Sequence, residues 1–258
     1  MKRVGLALGG GAVRGLAHIG VLKVLQRHQI PIHYIAGTSM GGLIGGLVAA
    51  GIAPEEIEEF IYATPTYRLV DFAILKRGIL AGDKIYTLLI QMLEQKGLGD
   101  VQIEDLPITF RAVSVDLKRG QIFLFERGSL LLAIRATTSI PGLFAPVAYQ
   151  DKVLVDGGIL NNLPADLARR EGVDAVVAVD VEREHEEQEP RNIFEVLYRS
   201  YSIMTTTIRR ANLRYADVVL RPRVGHILAF DFSKVRESIE AGERAAERKL
   251  KQVAQLLE

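Results

Sequence analysis

Two spacings of apolar residues alternate along this chain. Short apolar runs read as strands at Arg3 to Leu8, Ile32 to Ala36, Ile108 to Val115, Gln121 to Phe125, Val147 to Tyr149, Lys152 to Val155, Asp174 to Val181 and Val218 to Leu220. Between them the helical period takes over. Leu16, Ile19, Leu22, Val24 and Leu25 predict a helix over about Val13 to His28, after the glycines Gly9-Gly10-Gly11. A small apolar segment, Met40 to Ala50, predicts a second helix stopped by Gly51, and Pro54-Glu55-Glu56 opens a third through about Tyr62. Further helices are predicted over Asp83 to Lys96, Ser129 to Thr138, Leu163 to Arg170, Ile193 to Tyr215 and Ser233 to Leu257. Glu182 to Arg191 is dense in charge and contains Pro190, which reads as an exposed loop. There is no internal repeat and no low-complexity linker.

This alternation suits one α/β domain over residues 1–258, and the 258 residues, 48% of them hydrophobic, are enough to bury a large core. A net charge of +1 gives no general attraction to nucleic acid or anionic lipid. The absence of cysteine excludes disulfides, thiol catalysis and cysteine-held metal, and fits a reducing compartment. No apolar run reaches the ~20 residues of a membrane span, and Met1-Lys2-Arg3 does not lead into a signal-peptide core, so a cytoplasmic location is expected. The distribution of charge adds one point. No carboxylate precedes Glu55, whereas Lys2, Arg3, Arg14, Lys23 and Arg27 all do. Either this part is mostly buried with a few exposed basic side chains, or it sets a positive field around the first glycine loop.

Gly37-Thr38-Ser39-Met40-Gly41 fits the nucleophile-elbow pattern G-x-S-x-G between a strand and a helix. Such a turn lifts a serine hydroxyl clear of the sheet, and flanking glycines relieve its crowding. A packing turn is the competing reading of those five residues. Gly9 to Gly15 also joins a strand to a helix, where backbone N–H groups and the positive helix end hold negative charge. A dinucleotide fingerprint fails because Arg14 stands at the third glycine and no acidic ribose ligand follows. A phosphate loop fails because Leu16-Ala17 replaces Lys-Ser/Thr. An oxyanion hole is the remaining functional reading, with donors aimed at a transient charge beside Ser39. Arg14 then steadies the loop, adds positive potential, or is an exposed first-turn residue. His18 reads as a packing or capping residue.

A serine needs a base. The late histidines carry little signal, His185 lying in the charged loop and His226 beside Gly225. Asp156 is the better candidate, because the apolar strand Val153-Leu154-Val155 buries its end and Gly157-Gly158 turns the chain tightly behind it. Burial would raise its pKa and strengthen it as a base. A plain Asp-Gly-Gly turn is the alternative. Asn161, Asn162 and Pro164 read as loop and helix-start residues, and one of the asparagines is a candidate to orient Asp156. Thr66 to Gly82, mixed apolar and basic, reads as a packed connection or as the flank of an acyl pocket or lipid contact.

Together these clusters resemble the bacterial patatin-like phospholipases. Gly9 to Leu22 resembles the family's glycine-rich oxyanion block, Gly37 to Gly41 its nucleophile block, Ile140 to Val147 its proline-containing segment, and Asp156-Gly157-Gly158 its dyad block. The blocks agree in order and cover roughly residues 3 to 165. Ala12 stands where many relatives carry another glycine, and Thr137 where a serine is frequent. The resemblance implies a three-layer α/β/α sandwich with a mainly parallel central sheet. It implies Ser39 as nucleophile, Asp156 as base, and Gly9, Gly10, Gly11 and Arg14 around the oxyanion. It implies lipid acyl-ester hydrolysis with no metal or organic cofactor, a lipid or other acyl-ester substrate, transient contact with a membrane surface, and no nucleic-acid partner. The rival readings are a soluble carboxylesterase or thioesterase with the same dyad, and a regulatory protein on the same fold.

Overall fold

The structure is a computed structural model that describes residues 2–64, 83–182, 189 and 193–257. The segment Thr66 to Gly82, His185 and most of the charged loop around it lie outside the described residues.

The apolar runs form one sheet: β1 (Val4–Leu8), β2 (Tyr34–Thr38), β3 (Thr109–Asp116), β4 (Gln121–Phe125), β5 (Val147–Tyr149), β6 (Lys152–Asp156), β7 (Ala175–Val179) and β8 (Val218–Leu220). β1, β2 and β7 are buried at every residue, as strands covered on both faces must be. The order is β5-β6-β3-β2-β1-β7-β8, with β4 also paired to β3. Pairings across β3, β2, β1, β7 and β8 are parallel; β4 and β6 pair antiparallel to β3, and β5 antiparallel to β6. β2 starts two residues later than the apolar run suggests. His33 precedes it, donating its amide to the Val4 carbonyl at 2.9 Å while its ring Nδ1 accepts from the Val4 amide at 3.1 Å. The shift carries the strand to Thr38, directly before Ser39.

The helices are α1 (Ala17–Arg27), α2 (Met40–Ala49), α3 (Pro54–Ala63), α4 (Asp83–Gln95), α5 (Leu130–Thr137), α6 (Gly158–Asn161), α7 (Ala165–Arg170), α8 (Ile193–Asn212) and α9 (Val235–Gln255). The helix expected from Val13 begins as a 3-10 turn, Ala12–Leu16, and becomes α-helical only at Ala17. Leu6, Leu8 and Ile35 face a large core that takes residues from α1, α2, α5 and α9. Ala7, Tyr34, Ala36, Val176 and Ala178 face the other side, against Ala165 and Ala168 of α7. The result is a three-layer α/β/α sandwich.

α1 and α9 pack backbone to backbone. A Cβ on Gly20 would overlap the Ile239 carbonyl, and one on Gly242 the Ala17 carbonyl. Lys23 Nζ, 2.6 Å from both Glu58 and Glu243, ties α1 to α3 and α9.

Candidate active site

Parallel register brings the ends of several strands into one row. Leu8 pairs with Gly37 and with Val179, Thr38 pairs with Val113, and Ser114 pairs with Asp156. The residues that follow β1 and β2, namely the glycine loop and Ser39, therefore stand at the level of Asp156. In open α/β sheets this edge, outside the carboxyl ends of the strands, is where ligands bind.

Ser39 sits at φ 56°, ψ −126°, a left-handed backbone that a non-glycine residue holds only under constraint. Its neighbours show the constraint. A Cβ on Gly37 would overlap Gly41, and one on Gly41 the Leu8 carbonyl, so both positions require glycine for close approach. The Ser39 amide donates to Thr137 Oγ1 at 3.0 Å, and Thr137 in turn donates to the Val113 carbonyl at 2.5 Å. Thr38 Oγ1 donates to the Asn161 carbonyl at 2.8 Å. The elbow is thus held from α5, from β3 and from the turn after β6.

Asp156 closes β6 and is buried at 1% exposure. Its amide donates to the Ser139 carbonyl at 2.9 Å, and its Oδ1 accepts the Gly158 amide at 2.7 Å. Burial pushes the carboxyl up to about 7, and the hydroxyls of Ser39 and Tyr201, with the Gly158 amide, pull the other way. Oδ2 is buried with no hydrogen-bond partner among the described residues, whereas Oδ1 takes the Gly158 amide. Ser39 and Asp156, far apart in sequence, are side by side. Gly157 lets the chain pass β3, because a Cβ there would overlap the Val113 carbonyl.

The glycine loop lies against Ser39: a Cβ on Gly10 would reach within 3.1 Å of the Ser39 Cβ and overlap Asn162 Oδ1. Its amides are not equivalent. Gly9 donates to the Val179 carbonyl at 3.2 Å and Gly10 to the Asn162 carbonyl at 3.0 Å. Two of the three glycine amides expected around an oxyanion are therefore engaged as links that fix the loop. Among the described residues the Gly11 amide has no backbone partner. Arg14 is not an exposed helix residue; it is buried at 4%, with Nε 3.4 Å from the Gly11 carbonyl and Nη2 3.4 Å from Glu182 Oε1. It braces the loop. Ala12, where relatives often carry glycine, has φ 49°.

His18 is fully buried and donates from Nε2 to the Gly9 carbonyl at 2.7 Å, and burial holds its pKa down at about 4. It is a second brace of the loop and stays neutral. His226 is exposed and pairs with Glu237 at 2.5 Å. Asn161 donates to Asp166 at 2.8 Å and Asn162 lies against Gly10, so the asparagines hold the loop and turn around Asp156. Sequence reasoning placed Thr137 within the family resemblance without giving it a role, and did not single out Tyr201. Thr137 had a faint signal, as a hydroxyl residue four before Pro141. Tyr201 had none, inside a long helix.

Among the described residues no cluster of His, Asp and Glu is placed to hold a metal ion, and no helix is long and apolar enough to cross a membrane.

Residues 6–169 match the model of the patatin-like phospholipase family. An uncharacterized NTE family protein of Mycobacterium bovis is 41% identical over 185 residues, covering 69% of this chain and 48% of that protein. A Candida albicans protein named as a lysophospholipase is 32% identical over 196 residues, covering 70% of this chain and 13% of its own length. The chain thus spans about half, or less, of these relatives. The crystal structure of VipD from Legionella pneumophila superposes with a TM-score of 0.65 at 14% identity, covering 98% of this chain and 67% of that one, which supports the fold. The matched region contains the glycine loop, the Ser39 elbow and Asp156, and the chain belongs to the patatin-like phospholipase family.

Proposed function

We propose that the chain is a serine lipid acyl hydrolase, of the phospholipase A or lysophospholipase kind, working through Ser39 and Asp156. The observation that carries the reading is the pairing of a strained, held serine with a buried carboxylate whose pKa stands near 7. An aspartate at its ordinary pKa is a weak base; one raised by three units is matched to neutral pH.

In this reading Asp156 takes the Ser39 proton as Oγ attacks the ester carbonyl carbon. The carbonyl oxygen becomes an oxyanion, stabilised by the Gly11 amide and by the first amides of α2, which have no acceptor within the helix. Collapse breaks the ester bond; the leaving alcohol takes the proton from Asp156 and the acyl group stays on Ser39. A water then gives its proton to Asp156, attacks the acyl carbon, and releases the fatty acid while Ser39 recovers its proton. The family match and the lysophospholipase name of the fungal relative support a lipid ester as substrate.

Two measurements test it. A fluorophosphonate probe should label the native chain at Ser39, and Ser39→Ala should abolish both labelling and hydrolysis of a lysophospholipid. Asp156→Asn should cost on the order of 10³-fold or more in kcat with the fold intact. In the native chain kcat/KM should rise with pH through about 7, because only the ionised carboxylate accepts a proton. Lysophospholipid turnover that survives Ser39→Ala would refute the proposal. Turnover confined to short soluble esters would move the assignment to a carboxylesterase.

A further inference from the structure

α8 is built inside out. Its outer face carries Ile193, Leu197, Ile203 and Met204, each more than half exposed, while Thr205, Thr206 and Arg209 are buried beneath it. Buried polar side chains stabilise only when partnered, and these have partners at the site. Arg209 Nη1 lies 2.7 Å from each oxygen of Asp180, directly after β7 and the Val179 carbonyl that holds Gly9. Asn212 Nδ2 donates to Asn161 Oδ1 at 2.7 Å and to the Leu163 carbonyl at 3.2 Å. Ser202 Oγ donates to Glu182 Oε2 at 3.5 Å, and the other oxygen of that carboxylate meets Arg14. The helix is fastened to the glycine loop at one side and to the turn after β6 at the other.

Tyr201 lies beside Ser202, within this fastened stretch. Its hydroxyl occupies the place where a side chain on residue 158 would start, since a Cβ on Gly158 would overlap it and stand 3.1 Å from Asp156 Oδ1. The second glycine of Asp-Gly-Gly is therefore space reserved for the phenol. The Gly158 amide holds one carboxylate oxygen, and Oδ2 is left without a backbone donor.

We propose that Tyr201 is a positioning residue for Asp156: its phenol donates to the carboxylate and, through the anchored α8, holds it toward Ser39. This rests on the Ser39–Asp156 reading above. A hydrogen bond to the charged form favours that form, so the phenol opposes the effect of burial on this carboxyl. Its removal must leave a base that ionises at higher pH, and a carboxylate free to turn away from the serine.

The test is Tyr201→Phe in the full chain, which keeps the ring and removes only the hydroxyl. The readout is the pH dependence of kcat/KM on a lysophospholipid and of fluorophosphonate labelling of Ser39. The midpoint of the acid limb should move up by roughly one pH unit, about a tenfold loss on the acid side with a smaller loss on the alkaline plateau. The loss should fall on kcat more than on KM. Gly158→Ala, which displaces the hydroxyl and keeps the residue 158 amide, should move the midpoint the same way. A midpoint that stays put in Tyr201→Phe, with activity lowered evenly at all pH or not at all, overturns the inference. If that result comes while Ser39→Ala and Asp156→Asn are inactive, the Ser39–Asp156 reading stands and only the role of Tyr201 falls.

Discussion

The amide of Ser39, in its unfavourable backbone, is held by one hydroxyl. Thr137 accepts the Ser39 amide and donates to Val113, so one side chain bridges the elbow and the neighbouring strand. Thr137→Val keeps the shape and removes both bonds, leaving a buried amide without an acceptor, which costs about 1–3 kcal/mol. Chemical denaturation should show that loss, and turnover should fall with it as Ser39 drifts from Asp156. Thr137→Ser should restore most of both, because the hydroxyl is what the amide needs. Equal stability for the Val and Ser variants would refute the bridging role. Glycine makes such a site legible in sequence: at Gly37, Gly41 and Gly157 a side chain would strike backbone, so the close approach of strands to the site is written as glycine. The partner of a hydroxyl is written nowhere. Thr137 and Tyr201 act through one oxygen atom each, and a lone threonine or tyrosine on a helix has no pattern to betray it. A G-G-G run likewise gives no hint of which of its amides the fold engages in its own bonds.

Helices show where pattern reading works and where it stops. Every long element was visible from its apolar period, and the run of β7 identified a strand buried on both faces. The shift of β2 was not visible, because Ile32 continues the apolar pattern while pairing with β1 starts only at Tyr34. In α8 the period is clear but its direction is inverted, since partners on Asp180, Asn161 and Glu182 draw the polar face inward. Sequence shows that a helix has two faces, and only the fold decides which is covered. α1 and α9 carry the complementary lesson, for glycine inside a helix costs stability unless something needs the space. Gly20 is such a place: α9 passes so close that the Ile239 carbonyl fills the position of a side chain. Gly20→Ala should therefore destabilise by about 1–3 kcal/mol or more, although alanine is the better helix former. A midpoint of urea unfolding that rises in this variant would show that the helices separate without cost.

Asp156 and His18 are both buried, and they pull the pH dependence of stability in opposite directions. Burial raises Asp156 to about 7, against ~3.9 for an unfolded aspartate. Between those values the folded chain keeps a proton that the unfolded chain has released, so this group's contribution falls as pH rises. Burial lowers His18 to about 4 from 6.5. Below the upper value the unfolded chain binds a proton that the folded chain refuses, so this contribution is lost as pH falls. From about pH 4 to 6.5 the two slopes are equal and opposite, and the strain of keeping a raised carboxylate is masked. Asp156→Asn removes one slope and leaves the other. Relative to the native chain, the variant should gain up to ~1.4 kcal/mol of stability per pH unit between about pH 4 and 7, with no further gain above that range. Urea denaturation of both proteins across that range measures the difference directly, and titrations common to both cancel from it. Parallel curves would mean that Asp156 ionises in the folded chain at an ordinary aspartate pKa, and the base proposed for Ser39 would lose the property that suits it to neutral pH.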